Sequence, residues 1–133
     1  SVMSRDIEKN NIVDVNFDIY TNQPARQACL NETELLMRDR LPFKDHLEIL
    51  SSSFFCISPE GNGVDCHRHW EALYLKTVPI VTRSQLTESL QDKGIPLLIL
   101  DSWRQFKEIE LTPSLYYWLI AKPIWIKKSP NGT

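Results

Sequence analysis

The residues best suited to chemistry lie in one short stretch of the sequence, from Gly61 to Glu71. This stretch combines two glycines, an amide, a residue type that favours helix N-caps, and three titratable or charged side chains at helical spacing: Gly61, Asn62, Gly63, Asp65, His67, Arg68 and Glu71. A glycine loop lets a ligand approach the backbone, and a helix N-terminus offers unpaired N–H groups and the positive end of the helix dipole. The pattern predicts a phosphate site and favours a nucleotide or nucleotide-sugar ligand.

Two side chains of this stretch have specific roles available to them. Arg68 lies in the first turn of a predicted helix, where a cation opposes the helix dipole unless an anion binds there. Glu71 offers two carboxylate oxygens, which can accept hydrogen bonds from the adjacent hydroxyls of a ribose. The alternative is a solvated helix start in which Arg68 and Glu71 form an ion pair across one turn. Local physical chemistry leaves both interpretations open.

Other kinds of site find little support in the sequence. Cys56, Cys66, His67 and His69 include two metal-ligand residue types, but they lack the paired spacing of a zinc site. The dinucleotide pattern GxGxxG would require a glycine at Cys66, and the phosphate-loop pattern GxxxxGK[ST] does not occur. No DxD pair is present to hold a metal–diphosphate complex. We therefore predict neither a metal nor a cofactor.

Apolar runs that alternate with helical segments must position this stretch. The predicted strands are Ile12–Phe17, Phe54–Ser58, Val78–Val81 and Ile95–Leu100, and the predicted helices cover about 24–38, 44–51, 66–75, 84–91, 102–108 and 113–121. Within the first helix, Ala28, Leu35 and Leu36 are the residues expected to face inward. Alternating strands and helices favour an α/β fold, with a parallel sheet that carries helices on both faces. Ligands bind beyond the carboxyl ends of such strands, which is where Gly61–Arg68 follows the second strand.

Length and composition limit the class of protein. The chain of 133 residues predicts one domain over 12–133 after a polar lead-in at 1–11. A net charge of −2 gives no general attraction for nucleic acid, and no apolar run approaches the roughly 20 residues of a membrane segment. Three cysteines without a CxxC pair indicate reduced thiols, and we expect a cytoplasmic location.

Longer runs of sequence resemble the exostosin-like glycosyltransferases, especially their bacterial and viral members. The similarity is strongest from Pro59 to Leu75, where the residues follow an HRxWEALxL pattern, and in Val78–Val81. Asn16–Asn22 with Arg26 resembles the segment that opens the donor-binding half of these enzymes, and Pro96–Trp103 resembles a later strand and its Asp-Ser-Trp exit. The resemblance covers about 12–105.

The resemblance implies a fold, an activity and residue roles. The fold is the C-terminal, Rossmann-like half of a GT-B glycosyltransferase, which binds a nucleoside-diphosphate sugar. By analogy, Arg68 holds the diphosphate, Glu71 binds the ribose, and Gly61–Gly63 admits the donor. The catalytic residue stays unassigned, with His67 as the candidate. The chain departs from the family at Lys76, where relatives usually have the glycine of a left-handed helix C-cap, so we expect Lys76 to alter the cap more than the chemistry.

Two main hypotheses follow from the residues and the resemblance. The first is an enzyme that moves a sugar from a nucleoside diphosphate to a hydroxyl acceptor, such as a glycan, as part of a larger protein. Nothing in this chain resembles the N-terminal acceptor-binding half, so we expect the chain by itself to be poorly active or inactive. The second is a non-catalytic nucleotide-binding or assembly module of the same fold. A response-regulator-like or flavodoxin-like domain is disfavoured, because the acidic triad and the phosphate loop after the first strand are missing.

Overall fold

The computed structural model describes residues 9–17, 23–59 and 72–127. Within these ranges, four strands form one parallel sheet in the order β1-β2-β3-β4. The strands are β1 Asn11–Asp14, β2 Ser53–Ile57, β3 Val78–Thr82 and β4 Leu98–Leu100. The predicted α/β fold with a Rossmann-like parallel sheet is therefore confirmed. The last strand is shorter than expected, because its hydrogen-bonded part begins at Leu98 rather than at Ile95.

Helices cover both faces of this sheet. They are α1 Gln23–Thr33, α2 Phe43–Ser51, α3 Gln85–Asp92 and α4 Pro113–Lys127, with 3-10 helices at Glu34–Leu36 and Trp103–Glu108 and a helical stretch at 72–74. One face of β2 packs Phe55 and Ile57 into a cluster with Cys29 of α1. On the opposite face, Cys56 packs against Leu50 of α2.

Several helix boundaries have visible local causes. Ser84 caps α3 because its Oγ accepts a hydrogen bond from the Thr87 N–H at 3.1 Å, while the Thr87 hydroxyl accepts one from the Ser84 N–H at 2.9 Å. This reciprocal pair satisfies two donors that a helix start leaves unpaired. After α3, Gly94 takes the positive φ of 88° that ends the helix, as predicted from its position.

The inward face of α1 differs from the prediction. Ala28 is exposed, Leu35 is fully exposed and Leu36 is half-exposed, whereas Cys29 and Thr33 are buried. The α-helix ends at Thr33, and the 3-10 turn that follows points both leucines outward. Thr33 fits the core because its hydroxyl donates to the Cys29 carbonyl at 2.9 Å, which satisfies its polar group internally.

Polar contacts of Lys9 hold the amino-terminal edge of the sheet together. The Lys9 ammonium donates to the carbonyls of Ser51 at 2.8 Å and Ser53 at 3.0 Å, and it lies 5.7 Å from the centre of the Tyr116 ring. Burial, with a smaller contribution from the charge of Lys76, lowers the pKa of Lys9 to about 8. The buried Thr77 hydroxyl joins the same edge by donating to the Leu50 carbonyl at 2.7 Å.

One backbone bridge outside the four strands extends the sheet beyond β1. Val15, just after β1, forms a parallel bridge with Met37, and the Arg38 N–H donates to the Val15 carbonyl at 3.0 Å. Met37 acts as a one-residue strand, and because α1 and α2 pack on opposite faces of the sheet, right-handed crossovers place it on the edge of β1 away from β2. The chain thus steps outward from β1 to Met37 and then crosses back to β2. The strand order reverses between β1 and β2.

Candidate functional site

Doubly wound sheets bind ligands at the carboxyl ends of the two neighbouring strands between which the strand order reverses. In this chain those strands are β1 and β2. At such a reversal of strand order, the connections leave neighbouring strands toward opposite faces and open a crevice between them. In this chain, α1 follows β1 and packs on one face, while the helical stretch 72–74 follows β2 and ends on the other. The described residues that border this expected crevice are Asn16 and Phe17 after β1 and Ser58 and Pro59 after β2.

The predicted ligand-binding residues lie outside the described residues. All of them fall in 60–71: Gly61, Asn62, Gly63, Asp65, His67, Arg68 and Glu71. Their assignment to diphosphate and ribose therefore stays a prediction. The structure describes the two points between which this segment connects.

Both connecting points are firmly held in the fold. On the β2 side, the Ser58 N–H donates to the Ile80 carbonyl at 3.0 Å, and Pro59 is buried. On the other side, Ala72 is completely buried in the cluster that contains Cys56. The chain thus leaves for the predicted site at the carboxyl end of β2, beside the reversal of strand order, and returns on the face that α2 covers.

The helical stretch 72–74 ends in a left-handed cap, so the change of cap expected from the lysine at position 76 is not found. The Thr77 N–H donates to the Ala72 carbonyl at 2.8 Å, and the Lys76 N–H donates to the Leu73 carbonyl at 3.1 Å. These two bonds define a Schellman motif, in which the residue at the Lys76 position takes a positive φ. Lys76 has a φ of 61°, although it is not glycine.

The structure also reveals a charged cluster that the sequence interpretation missed. Arg38 binds both carboxylate oxygens of Asp14, with Nε at 2.6 Å and Nη2 at 3.1 Å, and its Nη2 also donates to Nδ1 of His46 at 2.8 Å. Asp14 is 1% exposed and His46 is 8% exposed. Because guanidinium groups only donate, His46 Nδ1 accepts, and the ring carries its proton on Nε2. An aspartate inside the apolar run of β1 was the signal for such a partner, since a buried carboxylate requires one.

Asn16 adds an amide to the same side of the crevice. Its Nδ2 lies 3.5 Å from Nδ1 of His46, a long contact to an atom that already accepts a shorter bond from Arg38. The register pairs Asp14 with Cys56, so its extension places Asn16 level with Ser58, the residue that follows β2. Asn16 therefore borders the start of the predicted binding segment.

An ion-pair network occupies the carboxyl edge further along the sheet. Arg83 follows β3, and its Nε donates to Asp101 at 2.9 Å while its Nη1 donates to Glu88 at 3.3 Å. The hydrogen bond to Asp101 raises the pKa of Arg83 most, and the hydrogen bond to Glu88 raises it further. With two carboxylates around one guanidinium, this cluster is poorly suited to bind an anion.

An open groove lies between α1 and the 3-10 helix that follows β4. Its volume is about 320 Å³, and its lining is mixed in polarity: Ala28, Asn31, Glu32, Ser102, Trp103 and Arg104. Glu32 is already engaged by Lys107, whose ammonium lies 3.5 Å from it. The groove is separate from the crevice expected beside Asn16. The groove is lined by α1, whereas the Asn16 side chain lies on the face of the sheet that α2 covers.

Chemistry based on cysteine or metal has no support in the described residues. Within 9–17, 23–59 and 72–127, no group of three His, Cys, Asp or Glu side chains could hold a metal ion. Cys56 is fully buried with Leu47 and Leu50, so it does not face the crevice as a zinc ligand would. Burial raises the pKa of Cys29 to about 12, so this thiol stays protonated at neutral pH.

Comparisons with known proteins leave the family assignment open. No protein-family model matches the chain, and no curated protein matches it significantly. The resemblance to exostosin-like glycosyltransferases therefore stays a prediction that depends on the motif residues. Across the described parts of the chain, no helix is long and apolar enough to span a membrane.

Proposed function

We propose that this chain is the donor-binding domain of a GT-B glycosyltransferase. In this proposal it binds a nucleoside-diphosphate sugar and presents the sugar to a hydroxyl acceptor that a second domain holds. One observation carries the proposal: the segment with the HRxWEALxL pattern leaves the sheet at the carboxyl end of β2, beside the reversal of strand order. That is where a doubly wound fold binds nucleotides.

A second observation supports the same assignment. Lys76 occupies the left-handed position of a helix C-cap, at the residue where the exostosin-like enzymes usually have glycine. The backbone geometry that the resemblance implies is thus present, even though the side chain differs. Left-handed caps end roughly a third to a half of all helices, so this agreement adds to the first observation and does not replace it.

The proposed chemistry assigns charge stabilisation to the motif. As the bond between the sugar and the diphosphate breaks, negative charge develops on the leaving diphosphate. Arg68 and the N–H groups of the predicted helix start would stabilise that charge, with His67 as the candidate to assist. Glu71 would accept hydrogen bonds from the ribose hydroxyls. Because no DxD pair is present, we expect binding to persist in a chelator.

Calorimetry with the full chain tests this function. UDP, GDP and dTDP and their glucose conjugates should be titrated into the wild-type chain and into Arg68→Ala. Loss of a charge-assisted hydrogen bond worth about 1.5–3 kcal/mol should weaken binding at least tenfold. Arg83→Ala is the matched control, because Arg83 is an arginine of the same sheet edge whose charge is engaged by Asp101 and Glu88.

Two results would contradict the proposal. If the wild-type chain binds none of these nucleotides, the proposal of a donor site is wrong. If Arg68→Ala binds as well as wild type, the proposed role of the motif is wrong. Binding without sugar transfer, even when the chain is joined to an acceptor-binding domain, would instead favour a non-catalytic nucleotide module.

A further inference from the structure

We propose that Asn16 is a ligand-contacting residue on the β1 side of the crevice. Its amide would bind a ligand group that can both donate and accept a hydrogen bond. This inference rests on the proposed function, since it takes the nucleoside-diphosphate sugar as the ligand. It goes beyond that function by adding a second wall to the site, built from β1 and α2 rather than from the motif after β2.

The position of Asn16 is set by the sheet. It lies two residues beyond Asp14, and strand alternation places both residues on the face that α2 covers. Extension of the register brings Asn16 level with Ser58, the residue that precedes the buried Pro59. Asn16 thus lies level with Ser58, one residue before Pro59, the last described residue before the predicted binding segment.

Hydrogen-bond accounting shows that the amide has capacity to spare. The Asn16 side chain is partly buried, and among the described residues its contact is Nδ2 to His46 Nδ1 at 3.5 Å. That imidazole nitrogen has one lone pair, which the 2.8 Å bond from Arg38 already uses. Toward the described residues, the Asn16 amide therefore leaves its carbonyl acceptor and its N–H donors unused. A partly buried amide left in this state costs free energy unless water or a ligand satisfies it.

The surroundings of Asn16 are rigid enough for recognition. His46 is fixed by Arg38, which is fixed in turn by two hydrogen bonds to the buried Asp14. The Arg38 backbone is held as well, because its N–H donates to the Val15 carbonyl. This chain of contacts runs from β1 through the Met37 bridge to α2. Asn16 is thus placed beside a preformed wall, which lowers the entropy lost when a ligand binds.

The chemistry of an amide narrows the ligand group. A primary amide that donates and accepts side by side matches the edge of a nucleobase or a sugar hydroxyl, but it offers no charge to a diphosphate. We therefore expect Asn16 to contact the nucleoside or the transferred sugar, while the diphosphate interacts with the motif after β2.

Titration calorimetry with the full chain separates these contacts. The probes are inorganic pyrophosphate, UDP, GDP, dTDP and the glucose conjugates of the three nucleotides. Asn16→Ala should weaken binding of the tightest nucleotide or nucleotide sugar by about threefold to tenfold, the value of one hydrogen bond, and leave pyrophosphate affinity unchanged. Loss with the nucleoside diphosphate indicates a base or ribose contact, and loss with the glucose conjugate alone indicates a sugar contact. Asn10→Ala is the control, because Asn10 is an exposed asparagine at the other end of β1.

The outcomes distinguish this inference from the proposed function. If Asn16→Ala binds every probe within twofold of wild type, the proposed role of Asn16 is overturned. If Arg68→Ala loses binding in the same series, the proposed function still stands. Wild-type chain that binds no nucleotide overturns both. A weakening caused by misfolding is recognised because Asn16→Ala would then also lower the melting temperature. In that case Asn16→Ser, which keeps a donor and an acceptor on a shorter side chain, is the second variant. The inference stands if Asn16→Ser retains more affinity than Asn16→Ala at equal stability, and it is overturned if the two variants bind equally weakly.

Discussion

The hydroxyl of Tyr116 donates a hydrogen bond of 2.6 Å to the backbone carbonyl of Lys76, the residue with a left-handed φ of 61°. This bond connects α4 to the cap of the helix that follows the predicted binding segment. It satisfies the carbonyl of the strained residue itself and joins two residues that are 40 positions apart in the chain. The end of the helical stretch 72–74 is thus fixed from outside as well as by its own cap.

Replacing Lys76 with glycine should stabilise the protein. A residue with a Cβ in the left-handed region costs about 1 kcal/mol or more, and glycine avoids that cost. Part of the gain is offset by the flexibility of glycine in the unfolded chain, so we expect an increase of about 0.5–1 kcal/mol in the free energy of unfolding. Urea denaturation measures it. Lys93→Gly is the control, because Lys93 has a φ of −81° and should lose stability instead. Equal or lower stability of Lys76→Gly would contradict the strain.

Removing the Tyr116 hydroxyl should destabilise the fold. Tyr116→Phe keeps the ring, which packs edge-on against Phe54 at a centroid distance of 5.1 Å, but leaves the Lys76 carbonyl without this donor. The expected loss is about 1–2 kcal/mol in the free energy of unfolding. Tyr117→Phe is a matched control, since Tyr117 is the next residue and is 58% exposed. The hydrogen bond would be unimportant if both variants unfolded at the same urea concentration.

The buried pair Asp14–Arg38 should show strong coupling. Either Asp14→Ala or Arg38→Ala leaves its partner without the opposite charge, at a cost of about 3–5 kcal/mol. The double variant should cost much less than the sum of the two, because no unpaired charge remains. A double-mutant cycle by chemical denaturation measures the coupling. The exposed pair Arg83–Asp101 serves as the control, and its two substitutions should be additive within error, because solvent screens an exposed ion pair. Additive losses at Asp14 and Arg38 would refute this prediction.

Stability should increase with pH between about 8 and 9 because of Lys9. Its pKa of about 8 in the folded protein lies below the ordinary value of 10.5, so in this interval the unfolded chain binds more protons. Stability then increases as pH rises. Above pH 9 the Cys29 thiol acts oppositely, because its pKa is raised from 9.0 to about 12 and the unfolded chain loses that proton first. Thermal unfolding from pH 7.5 to 9 should show the increase in wild type and lose it in Lys9→Met; the same slope in both would exclude Lys9 as the cause.

The sequence predicts the sheet better than it predicts the surroundings of the site. Runs such as Phe54–Ile57 are apolar throughout because a parallel strand is covered on both faces, so the sequence indicates both the strand and its parallel direction. The prediction of the inward face of α1 was wrong. Thr33 can be buried because its hydroxyl is satisfied within the helix, and Leu35 is exposed because it follows the end of the α-helix. The Met37 bridge involves a single residue, which no period can reveal.

The cluster around Arg38 was missed for a related reason. Arg38 follows an irregular segment, and its partner Asp14 is 24 residues away in the chain. Pairing between such distant positions depends on the crossover that brings the Met37 bridge against β1. The buried aspartate indicates that a partner exists, but not which basic residue provides it.

The pairing of β1 with β2 also determines when β1 can become ordered. Contacts between these strands join residues that are 42 positions apart, whereas the ion pair beyond β3 and β4 joins residues 18 apart. Closing a longer loop costs more entropy, so the β3–α3–β4 unit should form early and β1 should join late. During synthesis, β1 leaves the ribosome well before its partner strand exists. The wall that carries Asn16 is therefore among the last parts of the domain to assemble, and ligand-binding competence should appear only at the final folding step.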